Sequence, residues 1–297
     1  MSGKAARPID EGAYPTFATF VDAHRDEIEQ LVATHTTQTN EVGRTLVMLP
    51  ALGLVSSEAD GPLALLDIGA SAGLNLLIDR YGFHIGAVAS GSLTSPVRLE
   101  CAVEGELRPP VPERVHIAWR LGLDLHPLDV REPETRAWLL ALVWPEHVDR
   151  MARLDAALDL ARDDPPTVLP GDLTRDLARV AARAPTHATL VVSSTWTLAY
   201  VVPELRRSFV ADLQEVARSR GDDVWLVAGE GQGVLASLGL SLVDPPSDGT
   251  GGPSLLALCR FGADGAIDAR LLAECHAHGR WLRWLDRPSA VDAGGAA

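Results

Sequence analysis

Hydrophobic and polar residues follow one another along the chain in blocks that predict strands and helices in turn. The most informative block is 63–78, where an apolar run broken by Asp67 ends at Gly69, and a second glycine follows at Gly73. A short apolar run closed by glycine is typical of a parallel strand that is covered on both faces. Beyond the turn, leucine and isoleucine recur at helical spacing over 74–78. The block therefore predicts a buried strand, a tight glycine turn and a helix.

The same pattern divides the whole chain into a helical N-terminal cap over 1–60 and an α/β domain over 61–297. Within the second part, short apolar segments alternate with helical ones, and the last two apolar segments, 255–261 and 267–276, predict a hairpin. Such alternation predicts a doubly wound, mostly parallel sheet that ends in a C-terminal antiparallel hairpin. Residues 81–114 interrupt it with glycines, prolines and short alternating pieces, which predict an antiparallel insertion.

Composition narrows the function. The formal net charge is −14, and an acidic chain repels phosphate backbones, so general nucleic-acid binding is not expected. No apolar run approaches the ~20 residues that a membrane helix needs, and the N-terminus has no apolar signal region. We therefore expect a cytoplasmic protein without membrane association. Cys101, Cys259 and Cys275 are widely spaced, which predicts buried thiols rather than a disulfide framework.

The glycine turn is compatible with two chemistries. Glycines at 69 and 73 would let backbone N–H groups approach a ligand beside the N-terminus of the next helix. The same five residues also match the G-x-S-x-G nucleophile elbow of α/β-hydrolases. A hydrolase would use Ser71 as the nucleophile, with Asp244 and His276 as candidate partners in chain order. Asp67 inside the strand and the lack of a preceding His-Gly-Gly loop count against that interpretation.

Residues 66–73, Leu-Asp-Ile-Gly-Ala-Ser-Ala-Gly, resemble motif I of class I S-adenosylmethionine-dependent methyltransferases, in which an acidic residue precedes a glycine loop. Two later segments resemble that family in the same order. The resemblance implies that Asp67 orients the loop near the methionine end of the cofactor, Asp124 binds the ribose and Asp172 reads the adenine edge. It implies a wider cofactor-binding set as well. That set is Asp67, Gly69, Ala70, Ser71, Gly73, Asn75, Asp124, Asp172, Leu173 and Ser193.

The spacing of the acidic residues leaves alternatives open. Gly73 and Asp124 lie 51 positions apart, whereas dinucleotide-type folds place the ribose acid about 20 residues on. If the insertion contained the second strand, Glu100 or Glu104 would be the ribose acid instead of Asp124. An aspartate at the end of a strand, such as Asp172, is also often only a helix cap or a turn residue.

Candidate catalytic residues follow the later strands. Trp196 and Tyr200 could stack on a planar substrate or on the adenine, or could belong to the core. Glu230 could be a general base or a solvated loop acid. The segment 274–278, Glu-Cys-His-Ala-His, is too small a ligand set for zinc without a second cluster, so no metal site is expected.

Over nearly its whole length the sequence also resembles an uncharacterised bacterial family, the domain of unknown function DUF2332. The resemblance rests on four segments: 67–77, 122–130, Leu-Val-Trp-Pro-Glu at 142–146 and the closing Gly-Arg-Trp-Leu-Arg-Trp at 279–284. It implies no activity of its own. The methyltransferase-like motifs predict an S-adenosylmethionine-dependent enzyme acting on a small molecule. The alternatives are a non-catalytic nucleotide-binding or interaction protein on the same fold and a serine hydrolase.

Overall fold

Helices open the chain in the computed structural model, which describes residues 10–59, 61–242 and 252–286. Contacts divide the chain into two units, with the boundary between Gln38 and Thr39. The first unit contains helices α1 (Ala13–Ala23) and α2 (Arg25–Thr34), neither of which buries a residue. The boundary lies earlier than residue 60, because the next helix belongs to the second unit and buries most of its residues.

The second unit is built from helices and strands in alternation. Its helices are α3 (Thr45–Glu58), α4 (Pro133–Ala141), α5 (Val148–Asp163), α6 (Leu173–Ala181), α7 (Pro203–Arg220) and α8 (Gln232–Ala236). Its strands are β1 (Leu63–Ile68), β2 (Gly82–Ile85), β3 (Val88–Gly91), β4 (Arg98–Glu104), β5 (Ile117–Asp124), β6 (Val168–Pro170), β7 (Thr189–Thr195), β8 (Val224–Gly231), β9 (Ser254–Phe261), β10 (Ile267–Cys275) and β11 (Trp281–Trp284). Short 3-10 turns cover Val42–Arg44, Leu74–Arg80 and Leu198–Tyr200.

The described strands form one sheet in the order β3-β2-β4-β11-β10-β9-β8-β7-β1-β5-β6. Strands β6, β5, β1, β7 and β8 are parallel, while each of β9, β10 and β11 is antiparallel to the strand that precedes it in the chain. The prediction of an α/β fold with a mostly parallel sheet and a C-terminal antiparallel hairpin is therefore confirmed.

Two hydrophobic cores lie on opposite faces of β1. Leu63 and Leu65 pack with residues of α3 and α5, whereas Leu66 and Ile68 pack with residues of α6 and α7. Because successive side chains of a strand point to opposite faces, a strand covered on both faces must be apolar throughout. This explains the uninterrupted burial of β1 and makes Asp67 its exceptional residue.

The helix predicted after the glycine turn is a 3-10 helix rather than an α-helix. Leu74–Arg80 is a 3-10 turn with a kink at Leu77. The Tyr81 hydroxyl donates to the Leu74 carbonyl at 2.7 Å, and Arg120 donates to the Leu76 carbonyl at 3.0 Å, so side chains contact carbonyls that a regular helix would bond internally. The apolar residues here are buried on all sides rather than along one stripe, which the periodicity did not distinguish.

The segment 81–114 supplies β2, β3 and β4 at the far end of the sheet. Strands β2 and β3 are antiparallel, as predicted, but β2 and β4 are parallel. Strand β11, which no pattern predicted, joins this group to the hairpin by pairing with β10 on one side and β4 on the other.

Candidate functional site

The predicted site residues converge at the carboxyl ends of the parallel strands. Strand β1 pairs with β5 on one side and with β7 on the other, so the strand order reverses at β1. In open α/β sheets, ligands bind beyond the carboxyl ends of the strands at such a reversal point. The glycine turn leaves β1 at this position.

The turn contains three residues with left-handed backbone conformations, Gly69 (φ 69°), Ser71 (φ 54°) and Gly73 (φ 74°). Asp124, at the end of β5, fixes it. One carboxylate oxygen accepts a hydrogen bond from the Ser71 N–H at 2.8 Å, and the other accepts one from the His126 N–H at 2.8 Å. Asp124 thus ties the turn to the strand beside it.

The pairing of β1 with β5 also removes one alternative. Glu100 and Glu104 lie in β4, which is separated from β1 by β11, β10, β9, β8 and β7. The insertion therefore does not supply the strand beside β1, and the acid at the end of that strand is Asp124.

Asp67 is buried at the end of β1, only 2% exposed. It accepts a hydrogen bond from the Ser193 hydroxyl of β7 at 2.6 Å. Burial raises the pKa of Asp67 to about 7, with the Ser193 bond and Arg44 opposing that rise and Asp124 adding to it. A carboxyl group that changes charge near neutral pH is therefore fixed beside the turn.

Glu230, at the end of β8, is fully buried rather than solvated. Its Oε1 accepts three hydrogen bonds, from the Ser194 hydroxyl at 2.8 Å, the Thr197 N–H at 2.9 Å and the Leu198 N–H at 3.0 Å. Burial raises the pKa of Glu230, and these bonds with nearby Arg44 oppose the rise. Its Oε2 is buried with no partner in the described residues.

Trp196 and Tyr200 have different surroundings. Trp196 is a non-glycine residue with φ 57°, and its Nε1 donates to the Ser254 hydroxyl at 3.1 Å. The ring also packs against the core on the face of α3. Tyr200 is 89% exposed, so only Trp196 of the two lies within the cluster of buried side chains.

Asp172 caps α6. One of its carboxylate oxygens accepts from both the N–H and the hydroxyl of Thr174, each at 2.8 Å. The next residue, Leu173, packs against the core on the face of α7. The structure thus gives both residues a local role, and an adenine-reading role for them stays a prediction.

Two further polar residues, which no sequence motif indicated, lie near the carboxyl ends of the parallel strands. Asn40 accepts a hydrogen bond from the Leu74 N–H at 3.1 Å. Arg44 donates to the Thr195 carbonyl at 2.9 Å, and its guanidinium lies 4.9 Å from the centre of the Trp196 ring. The signal available in the sequence is the set of polar residues Asn40, Glu41 and Arg44, which directly precedes the apolar helix α3.

Beside them, Glu41 and Arg150 form a buried ion pair at 2.5 Å. Burial lowers the pKa of His278 to about 4, and Arg150 contributes to this shift. His276 and His278 follow β10 in a turn, with their ring centres 5.5 Å apart. Over 10–59, 61–242 and 252–286, no group of three or more His, Cys, Asp or Glu side chains is placed to hold a metal ion.

The hydrolase constellation is incomplete in the described residues. Ser71 Oγ is buried and has no hydrogen-bond partner there, so no base contacts it. Asp244 lies outside the described residues. Cys101, Cys259 and Cys275 are buried free thiols, as the sequence predicted, and burial raises their pKa values.

A neighbouring side chain fills one side of the turn, while Gly69 itself is exposed. A Cβ atom on Gly69 would clash with the side chain of Thr197, whose hydroxyl donates to the Ile68 carbonyl at 3.0 Å. An open cavity of about 360 Å³ lies away from the turn, at the amino ends of β7 and β8, near Glu58, His187 and Asp222.

Residues 1–284 match the family described as "Uncharacterized protein conserved in bacteria (DUF2332)". No curated protein gives a significant match to the chain. None of the helices in the described part of the chain combines the length and the apolar character needed to cross a membrane.

Proposed function

We propose that this chain, which belongs to the DUF2332 family, binds S-adenosylmethionine at the glycine turn of β1 and transfers its methyl group to a small molecule. The observation that carries the proposal is the position of the turn. It leaves β1 where the order of the parallel strands reverses, with buried acids ending β1 and β5 on either side. On this proposal the second unit is a class I methyltransferase-like domain.

The chemistry of the surrounding groups fits such a ligand. Ser71 Oγ and Asn75 Oδ1 are buried polar atoms without partners in the described residues, and unsatisfied buried groups mark sites where a ligand can bond. Asp67 and Glu230 place two carboxyl groups near the turn, and their ionised forms favour a sulfonium or an ammonium group. Arg44, close to both acids, supplies the opposite charge for a carboxylate.

When bound, S-adenosylmethionine supplies a methyl group that leaves its sulfonium for the acceptor and gives S-adenosylhomocysteine. The chain's part is to position the reactants and accept a proton where the acceptor must lose one. Glu230 is the proposed proton acceptor, because its Oε2 has no partner in the described residues and burial raises its pKa towards the working range of a base. Asp67 holds the β1 end of the turn through Ser193.

Calorimetry with S-adenosylmethionine and S-adenosylhomocysteine tests the proposal. We expect saturable binding of both, weakened in Asp67→Asn and unchanged in the matched control Asp268→Asn, which replaces an exposed acid of β10. Asp172→Asn adds a second readout, since asparagine caps a helix about as well as aspartate. Weaker binding in this variant at unchanged stability would give Asp172 a ligand contact. Absence of binding up to about 1 mM ligand would overturn the proposal.

The serine hydrolase is the second candidate, and one observation favours it. The left-handed φ of Ser71 places it on a strained turn directly after a strand, as a nucleophile elbow requires. A fluorophosphonate probe should leave the wild-type chain unlabelled if Ser71 is only a turn residue. Labelling that disappears in Ser71→Ala would replace the methyltransferase proposal. Ligand binding without methyl transfer would instead favour a non-catalytic nucleotide-binding protein.

A further inference from the structure

The cavity of about 360 Å³ is lined by the end of α3, the segments that lead into β7 and β8, and the turn between β9 and β10. Its volume lies in the range of small-molecule sites in proteins. A Cβ atom on Gly221 would meet no atom within 4 Å, so the cavity is open on that side. Five positions of β8 separate Trp225, which lines the cavity, from Glu230 near the glycine turn, a distance of ~17 Å. The cavity is therefore separate from the proposed cofactor site.

Trp225 brings an unused hydrogen-bond donor to the cavity wall. The residue is 2% exposed, and its Nε1 has no partner in the described residues. A buried indole N–H usually has an acceptor, as Trp196 has in the Ser254 hydroxyl. Because an indole N–H can only donate, a ligand that completes this site must present an acceptor oxygen to it.

The lining of the cavity is acidic. It includes the carboxylates of Glu58, Asp222 and Asp223, and no lysine or arginine lines it within the described part of the chain. Two of these carboxylates have partners outside the lining, since Arg270 donates to Glu58 at 2.7 Å and Arg260 lies 3.4 Å from Asp223. An anionic ligand is disfavoured by such a lining, so the acceptor oxygen must belong to a neutral group.

Asp222 is the carboxylate best placed for a cationic ligand. It is exposed at the rim, and the guanidinium of the nearby Arg220 donates instead to the Ala184 and Pro185 carbonyls, at 3.0 and 3.1 Å. No metal-binding group of three or more His, Cys, Asp or Glu side chains occurs in the described ranges. The acidic lining therefore suits an organic cation, since an ammonium group forms charge-assisted hydrogen bonds with carboxylates.

We propose that this cavity is a second ligand site, which takes a small primary amine carrying hydroxyl groups, the chemistry of an amino sugar. The ammonium group binds at Asp222 on the rim. A hydroxyl oxygen accepts from the Trp225 Nε1–H at the wall. The site does not depend on the proposed function, because it lies at the other end of the strands.

Titration of the full chain with glucosamine at about pH 6, where its amine is protonated, tests the proposal through the indole N–H signals in two-dimensional NMR. The chain has seven tryptophans, and the signal missing in Trp225→Phe identifies Trp225. We expect this signal to shift saturably with a Kd of ~1 mM. Glucose lacks the ammonium group and cyclohexylamine lacks the hydroxyls, so each should bind about 5-fold more weakly. A Trp225 signal that does not move up to ~10 mM glucosamine would overturn the site.

A surface variant tests the charge without disturbing the core. Asp222→Asn should weaken glucosamine binding about 3-fold and leave glucose binding unchanged. The matched control is Asp163→Asn, which replaces an exposed acid at the end of α5 and should change neither affinity. Equal glucosamine affinities in Asp222→Asn and the wild type would overturn the amine as the ligand. A shift of the Trp196 signal without one of Trp225 would place glucosamine near the glycine turn and overturn the second site.

Discussion

The two halves of the sheet use charged residues in opposite ways. In the parallel half, Asp67, Asp124 and Glu230 end three of the strands and are at most 9% exposed. In the mixed half, Arg283 of β11 pairs across strands with Glu104 and Glu274, and both Arg283 and Glu104 are about half exposed. Exposed ion pairs contribute little to stability, whereas a buried carboxyl group costs free energy unless it is well bonded. The buried carboxyl groups of the parallel half therefore cost free energy of folding, and the fold by itself does not require them.

Asp67→Asn should give the largest effect. An unfolded Asp67 releases its proton near pH 4, whereas the folded one releases it near its raised pKa of about 7, so the folded state binds more protons between these values. The stability of the wild-type chain therefore falls as the pH rises through this window. The variant cannot ionise, so the difference in free energy of unfolding between the variant and the wild type should change by about 4 kcal/mol from pH 3 to pH 8. Urea unfolding at several pH values measures it, and a constant difference would show that Asp67 titrates normally.

Gly69→Ala should follow, with a loss of about 3 kcal/mol from the left-handed φ and the clash with Thr197. Gly221 is the matched control, because it has φ 70° and open space where a Cβ atom would lie, so Gly221→Ala should cost only about 1 kcal/mol. In a Thr197→Gly background the cost of Gly69→Ala should fall towards that of Gly221→Ala. Thermal or urea unfolding of Gly69→Ala, Gly221→Ala, Thr197→Gly and the double variant of Thr197→Gly with Gly69→Ala measures these losses of stability. Equal costs at the two glycines would contradict the contact.

Arg283→Ala should have the smallest effect. Both of its ion pairs lie at the surface of the mixed half, so the free energy of unfolding should fall by less than about 1 kcal/mol. The loss should also shrink in high salt, which screens exposed charges. A loss above about 2 kcal/mol in the same urea experiment would show that the mixed half, too, depends on its charges.

Local features of the sequence predicted the parallel half well. Strand β1 and the glycine turn could be predicted because burial on both faces requires a continuous apolar run, and because left-handed turns favour glycine. The acids at 67 and 124 were recognisable as exceptions at strand ends. The 3-10 turn after Gly73 could not be predicted, since its geometry depends on Tyr81 and Arg120 reaching its carbonyls.

Long-range contacts account for what the sequence did not reveal. Arg44 and Thr195 are 151 positions apart, and Glu230 lies 33 positions from Thr197, so no local pattern links them. The burial of Glu230 and the exposure of Tyr200 likewise follow from tertiary packing rather than from residue type. Strand β11 is only four residues long, too short for a periodic signal.

The pairing of β4 with β11 has a consequence for biosynthesis. Glu104 leaves the ribosome 179 residues before Arg283, its partner across the two strands. Strands β2, β3 and β4 can pair with one another early, yet the other side of β4 has no neighbour until residues 281–284 have been made. An unpaired strand edge can pair with other chains. Nascent chains are therefore most exposed to misassembly at β4. The charged residues Arg98, Glu100 and Glu104 of this strand discourage pairing with other chains before β11 is made.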